Sequence, residues 1–167
     1  MSAEQLPKPA AEETAAKEEA APAPAPAPAA EEKSADGEYK CHCGKCSFKV
    51  SGEPAMAAFC HCHTCRVYLG GRCQAVVYPP GQFVYGEGTE ENLIKYESAE
   101  KKFRHACKNC GCAVHNTLPN GLQVTFAGGI TWADGGKVPA PTMHIWVADG
   151  TREKIADGLP QFDEWPK

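Results

Sequence analysis

The chain has 167 residues, ten of them cysteine, and a formal net charge of −4. That length allows one ordinary domain, and no run approaches the roughly eighteen apolar residues of a membrane span, so no membrane partner is expected. The charge is uneven: residues 1–40 carry nine acids and four bases, the remainder twelve acids and thirteen bases. The folded part thus has no basic excess to attract a phosphate backbone, and nucleic acid is not an expected partner.

Up to about residue 35 the sequence is Ala, Glu, Lys and Pro, with an alternating Ala-Pro run over residues 21–28. Such a composition cannot bury enough apolar surface to offset ordering entropy. Residues 1–36 are therefore expected to be a disordered tail, and residues 37–167 the folded domain. The same stretch lacks the apolar core of a signal peptide, which argues for reduced thiols and a reducing compartment, the cytoplasm first and the nucleus second.

The domain opens on Cys41-His42-Cys43-Gly44, and residues 47–50 read as a strand. Residues 57–59 read as the next strand and lead into Cys60-His61-Cys62-His63-Thr64-Cys65, after which Thr64 is placed to cap a turn or two of helix. Strands follow at 72–78 and 83–85, and 93–97 meets 102–106 across a short polar connection. Then come Cys107-Lys108-Asn109-Cys110-Gly111-Cys112 and strands at 113–118, 122–126 and 143–147. No long stretch has a helical period. The pattern predicts a mainly β fold of short antiparallel sheets.

Ten cysteines in such a chain ask for disulfides or metal. Cysteines one residue apart are poorly placed to bond each other but converge readily on one ion. Iron–sulfur clusters use similar runs, and zinc is the favoured reading. Cys41, Cys43, Cys107 and Cys110 supply four thiolates from two turns more than sixty residues apart. An ion there closes a long loop and becomes part of the folding free energy, so this site is expected to be structural. Cys60, Cys62 and Cys65 supply only three ligands, the number that leaves a catalytic zinc with one position for exchange. A thiol entering that position loses its proton, which makes these three the expected catalytic residues. His61, His63, His105 or a spare cysteine could close the shell instead, His63 first among them. Cys46, Cys73 and Cys112 fall outside the seven metal positions and read as small buried thiols rather than redox groups.

The order C-x-C-G, C-H-C-x-x-C-R, C-x-x-C-G, His144-Ile145 and Asp157-Gly158-Leu159-Pro160-Gln161-Phe162 resembles the glutathione-dependent formaldehyde-activating enzyme family, which also includes centromere protein V. The resemblance runs from about residue 37 to 162, with Ala106 standing where the family usually has an aromatic and residues 132–141 loosely matched. It implies a β-tent fold clipped by a structural zinc on Cys41, Cys43, Cys107 and Cys110. It implies a second, catalytic zinc on Cys60, Cys62 and Cys65. It implies glutathione and formaldehyde as substrates, joined to S-(hydroxymethyl)glutathione by a carbon–sulfur lyase running in reverse. Arg66 and Arg104, with Arg72 and Lys102, are then candidates to meet the two glutathione carboxylates, arginine doing so bidentately. No general acid is evident, although His63 or His105 could protonate the hemithioacetal oxygen. The alternative is a non-catalytic zinc-dependent glutathione carrier, or an interaction module like centromere protein V.

Overall fold

The computed structural model describes residues 36–133, 138–150 and 155–166, so the expected tail, apart from Asp36, lies outside the described residues. In chain order the strands are β1 (Gly37–Lys40), β2 (Ser47–Val50), β3 (Met56–Cys60), β4 (Cys73–Tyr78), β5 (Phe83–Tyr85), β6 (Leu93–Ala99), β7 (Lys102–Cys107), β8 (Ala113–Thr117), β9 (Gln123–Phe126), β10 (Ile130–Trp132) and β11 (His144–Ile145). An α-helix, α1 (His63–Leu69), lies between β3 and β4. The smaller sheet has the order β10-β1-β2-β5 and the larger β11-β3-β4-β9-β8-β7-β6. The mainly β expectation holds, and the hairpin of β6 and β7 pairs as its sequence suggested. Every strand pairing in the two sheets is antiparallel except that of β11 on β3. The predicted strand at 143–147 shortens to two residues there, because Trp146 turns into the left-handed region and a 3₁₀ turn follows over Val147–Asp149.

The clearest account of the core comes from β4, whose run Cys-Gln-Ala-Val-Val-Tyr is buried at every position except Gln74. Successive strand side chains point to opposite faces, so a strand covered on both sides reads as a nearly unbroken apolar run. Val76 and Tyr78 pack into one apolar cluster with Tyr39, Phe48 and Trp132. Ala75 and Val77 pack into another with Ala58, Val124 and Ile145. Phe48 stacks between Tyr39 and Phe83 at centroid distances of 5.0 and 4.7 Å. A fully buried side chain of this size contributes roughly 2–3 kcal/mol. Each core also holds one cysteine cluster: Cys41 and Cys107 belong to the first, Cys60 and Cys65 to the second.

Two strands, β1 and β10, have no counterpart in the predicted elements. They are short, and each is defined by its neighbour: Gly37, Glu38 and Tyr39 pair with Trp132, Thr131 and Ile130. A Cβ on Gly37 would stand 2.4 Å from the Ile130 Cγ2, so the two strands approach this closely only with glycine there.

His105 and His115, opposite one another on β7 and β8, stack at 4.1 Å between centroids. Burial pushes their pKa values down to about 4 and about 3, so both rings are neutral near pH 7. His115 Nε2 meets the Tyr85 hydroxyl, and His105 Nε2 meets Thr117 Oγ1 at 3.1 Å. These histidines are occupied in holding β5, β7 and β8 together.

Candidate metal centres and active site

The first cluster is built by two turns of nearly the same construction. In one, Cys41 N–H donates to the Cys46 carbonyl at 2.9 Å and Gly44 N–H to the Cys41 carbonyl at 2.9 Å. In the other, Cys107 N–H donates to the Cys112 carbonyl at 2.9 Å and Gly111 N–H to the Cys107 carbonyl at 2.8 Å. Gly44 and Gly111 have φ of 79° and 72°, a conformation that glycine adopts without steric cost. Each turn thus folds its sulfurs inward and backbone N–H groups toward them. The Cys46 N–H lies 3.2 Å from the Cys41 sulfur, and N–H groups of Cys112 and Cys43 pull the Cys110 thiol down to about 5. All four sulfurs of Cys41, Cys43, Cys107 and Cys110 lie within 4.8 Å of one another, with Cys41–Cys43 at 3.6 Å and Cys43–Cys107 at 3.7 Å. Thiolates set tetrahedrally about 2.3 Å from one zinc ion lie about 3.8 Å apart, so these residues fit that ion.

The second cluster comes from one continuous segment. Cys60 ends β3, Cys62 is the N-cap of α1 and Cys65 lies in its first turn. The Cys62 sulfur accepts the Cys65 N–H at 3.3 Å, so the metal-type residue itself caps the helix and the expected cap, Thr64, does not. The three sulfurs lie within 4.8 Å of one another, and among the described residues no histidine or carboxylate joins them. They fit three positions of a four-coordinate ion. Hydrogen bonds from the Cys60 and Cys62 thiols, with the Arg104 guanidinium adding to them, hold the Cys65 thiol well below its ordinary range.

Cys60, Cys62 and Cys65 line a cavity of about 150 Å³ whose wall also carries Lys102, Arg104 and Trp146. Arg104 donates through Nη1 to the Cys65 sulfur at 3.6 Å and through Nε to Ser98 Oγ at 3.3 Å. Its guanidinium also lies over the Tyr68 ring and meets the Asn116 amide oxygen. Trp146 has φ 60° and ψ 40°, rare for a bulky residue, and packs edge-on against Trp165. The floor is apolar, formed by Ala75, Val77, Val124 and Ile145.

The other predicted residues stand elsewhere. Arg66 donates to the carbonyls of His61 at 2.9 Å and Asp149 at 2.7 Å and is not among the residues lining the cavity. Arg72 lies over the Phe59 ring. His63 is exposed, and His105 is held by Thr117; neither lines the cavity, so the expected proton donors do not reach it. His61 faces away from the thiols into a buried chain: its Nε2 is 2.8 Å from His144 Nδ1, and His144 Nε2 is 2.8 Å from Asp157 Oδ2. Burial and the neighbouring His144 lower the His61 pKa. Sequence reasoning noted His144 and Asp157 only within motifs. Nothing in the spacing, 83 residues between His61 and His144, signals that they touch. Ser98, Asn116, Trp146 and Trp165 carried no signal at all.

A mainly β protein with one four-cysteine and one three-cysteine cluster, each able to hold a metal ion, is the class these observations define. Residues 37–149 match the family model described as glutathione-dependent formaldehyde-activating enzyme, more than half of the chain. The chain belongs to that family. It is 31% identical over 89 residues to a Schizosaccharomyces pombe protein whose name calls it an uncharacterized lyase. That match takes in 53% of this chain and spans 63% of the relative's length. A solved structure of a Rhodobacter sphaeroides protein is 20% identical, with a TM-score of 0.49 over 62% of this chain and 96% of that one. Among the described residues no helix is long and apolar enough to cross a membrane.

Proposed function

We propose that this protein is a zinc-dependent carbon–sulfur lyase-type enzyme that joins glutathione, or a related thiol, to formaldehyde, giving S-(hydroxymethyl)glutathione. The observation that carries this reading is the three-thiol cluster opening onto a cavity that also presents Lys102 and Arg104. Zinc on Cys60, Cys62 and Cys65 would supply a Lewis acid that lowers the pKa of a thiol brought to the open side. A second zinc on Cys41, Cys43, Cys107 and Cys110 would be structural.

The chain's own residues do the rest. Lys102 and Arg104 offer cations to the substrate carboxylates, and Arg104 already anchors itself on Ser98 and the Cys65 sulfur. Arg66 would reach a carboxylate only by releasing the His61 and Asp149 carbonyls, and is read here as a strut for α1. The apolar floor limits water around the reacting atoms. The thiolate sulfur attacks the formaldehyde carbon, the carbon–sulfur bond forms, and the carbonyl oxygen takes a proton from solvent or from Lys102. Proximity provides most of the rate, since thiols add to formaldehyde readily. The enzyme is assigned to residues 37–167 and to a reducing compartment such as the cytoplasm.

Calorimetric titration of the metal-loaded protein with glutathione and with S-methylglutathione tests the reading. The methylated compound keeps the carboxylates but has no thiol proton to lose. It is expected to bind roughly a hundredfold more weakly, about 2.7 kcal/mol, with proton release seen only for glutathione. Initial rates of adduct formation should exceed those with metal-free protein. Equal affinities, or equal rates, would rule the enzyme reading out.

A further inference from the structure

Beside the three-thiol cluster lies a fourth thiol that the proposed chemistry does not use. Cys73 is the first residue of β4 and stands directly opposite Cys60, the last residue of β3, in the antiparallel register. Cys60 also neighbours Cys65 in the three-thiol cluster. All three are buried in the same core cluster. The cavity is lined by Cys60, Cys62 and Cys65 but not by Cys73, which therefore sits behind the shell, away from the substrate side.

Residues directly opposite in an antiparallel pair have Cα atoms about 4.5–5.5 Å apart, inside the span of about 4.4–6.8 Å that a disulfide bridges. Cys60 and Cys62, one residue apart, lack that geometry. A two-strand pairing also holds Cys60 and Cys73 in place whether or not an ion is bound, because β3 and β4 pair over five residues from Met56 to Cys60.

We propose that Cys73 is the resolving thiol of a reversible oxidation site, forming a disulfide with Cys60 when a hydroperoxide enters the cavity. The hydroperoxide transfers one oxygen to the Cys60 sulfur, leaving a sulfenic acid, and departs as water or an alcohol. The Cys73 sulfur then attacks the sulfenic sulfur, the sulfur–sulfur bond forms, and water leaves with the sulfenic oxygen and the Cys73 proton. Two electrons pass from the thiol pair to the peroxide bond. The shell loses Cys60 and with it its hold on a metal ion. Two equivalents of a thiol such as glutathione restore both cysteines and leave as their own disulfide. This inference rests on the reading of Cys60, Cys62 and Cys65 as a metal shell. The consequence is that the proposed thiol substrate would also reopen the site.

Disulfide mapping of the full-length, metal-loaded protein after hydrogen peroxide and alkylation tests it. Trypsin separates the two partners, since residues 50–66 carry Cys60, Cys62 and Cys65 while residues 73–95 carry Cys73 alone. The expected product is a cross-link of these two peptides at Cys60, with metal released by peroxide and rebound after glutathione and fresh zinc. Cys73→Ala should bind metal normally before treatment. After peroxide and then thiol, it should recover less than about a tenth of its metal binding, because an unresolved sulfenic acid goes on to irreversible states. Cys73 recovered as a free thiol beside an internal Cys62–Cys65 bond would overturn the proposal. A bond from Cys73 to Cys65, or a Cys73→Ala protein that recovers like the wild type, would do the same. Untreated protein without metal would instead overturn the metal reading of the shell, and the peptide map would still decide the disulfide.

Discussion

The four-cysteine and three-cysteine clusters use the same ligand atom and differ in the chain that delivers it. In the first, Cys43 and Cys107 are 64 residues apart yet their sulfurs are 3.7 Å apart, and each turn is closed by its own backbone hydrogen bonds. In the second, all three sulfurs arrive within six residues of one segment, and the open side faces a cavity. An ion in the first site ties β1 and β2 to β7 and β8, so its binding energy enters the stability of the whole domain. An ion in the second only links the end of β3 to the first turn of α1, a connection the chain already makes. The proposed chemistry is accordingly assigned to the three-cysteine cluster, where loss of an ion would cost the fold least.

The largest expected effect separates the two sites directly. Cys110→Ser removes a ligand from the closed shell and should forfeit much of a metal-binding free energy on the order of 10 kcal/mol, leaving the domain unfolded at room temperature. Cys62→Ser removes a ligand from the open shell, but serine is itself a good N-cap and can take over the bond from the Cys65 N–H. That variant should lose one metal ion and glutathione binding while keeping its strand signal. Far-UV circular dichroism melts with metal analysis measure both, and similar melting losses in the two variants would erase the distinction drawn here.

Both cysteine clusters could be read from the sequence because thiol spacing is a local property: two thiols on one tight turn converge whatever surrounds them. The strands were legible for a related reason, since the nearly unbroken apolar run of β4 and the apolar–polar alternation of residues 122–126 are written into those segments themselves. What stayed hidden is set by long-range pairing. The strands β1 and β10 exist because each covers the other, and β11 pairs parallel because the chain returns to the free edge of β3. The pairing of Cys73 with Cys60 depends on the register of β3 against β4, and the contact of His61 with His144 on β11. Arginines were the hardest residues to assign. Arg66 and Arg104 look alike in sequence, yet one is tied to carbonyls and the other to the sulfur of Cys65.

That difference between the arginines gives the next expected effect. Arg104→Gln removes a charged donor from the cavity wall and should weaken glutathione binding by between about tenfold and about a hundredfold, matching the roughly 1.5–3 kcal/mol of a hydrogen bond to a charged group. Its metal content should stay close to that of the wild type. Arg66→Gln should instead lower the melting temperature, since the His61 and Asp149 carbonyls lose their donor, and should leave glutathione affinity within about twofold. Calorimetry and thermal melts on the same two variants check the pair; a reversal of the pattern would make Arg66 the substrate residue.

The smallest effect should come from residues 1–35, whose composition cannot form a core. Asp36 is tied to the domain: its carboxylate accepts the Gly52 N–H at 2.8 Å and its carbonyl the Ala133 N–H at 2.9 Å. A protein beginning at Asp36 keeps both bonds and should melt within about a degree of the full chain, 1 kcal/mol being worth a few degrees in a domain of this size. Adding Asp36→Ala removes the side-chain bond alone, costs about 1 kcal/mol and should lower the melting temperature by those few degrees. Glutathione affinity should be the same in all three proteins, because neither change reaches the second core. A drop of several degrees on removal of residues 1–35 alone would mean that the segment contributes to the stability of the domain.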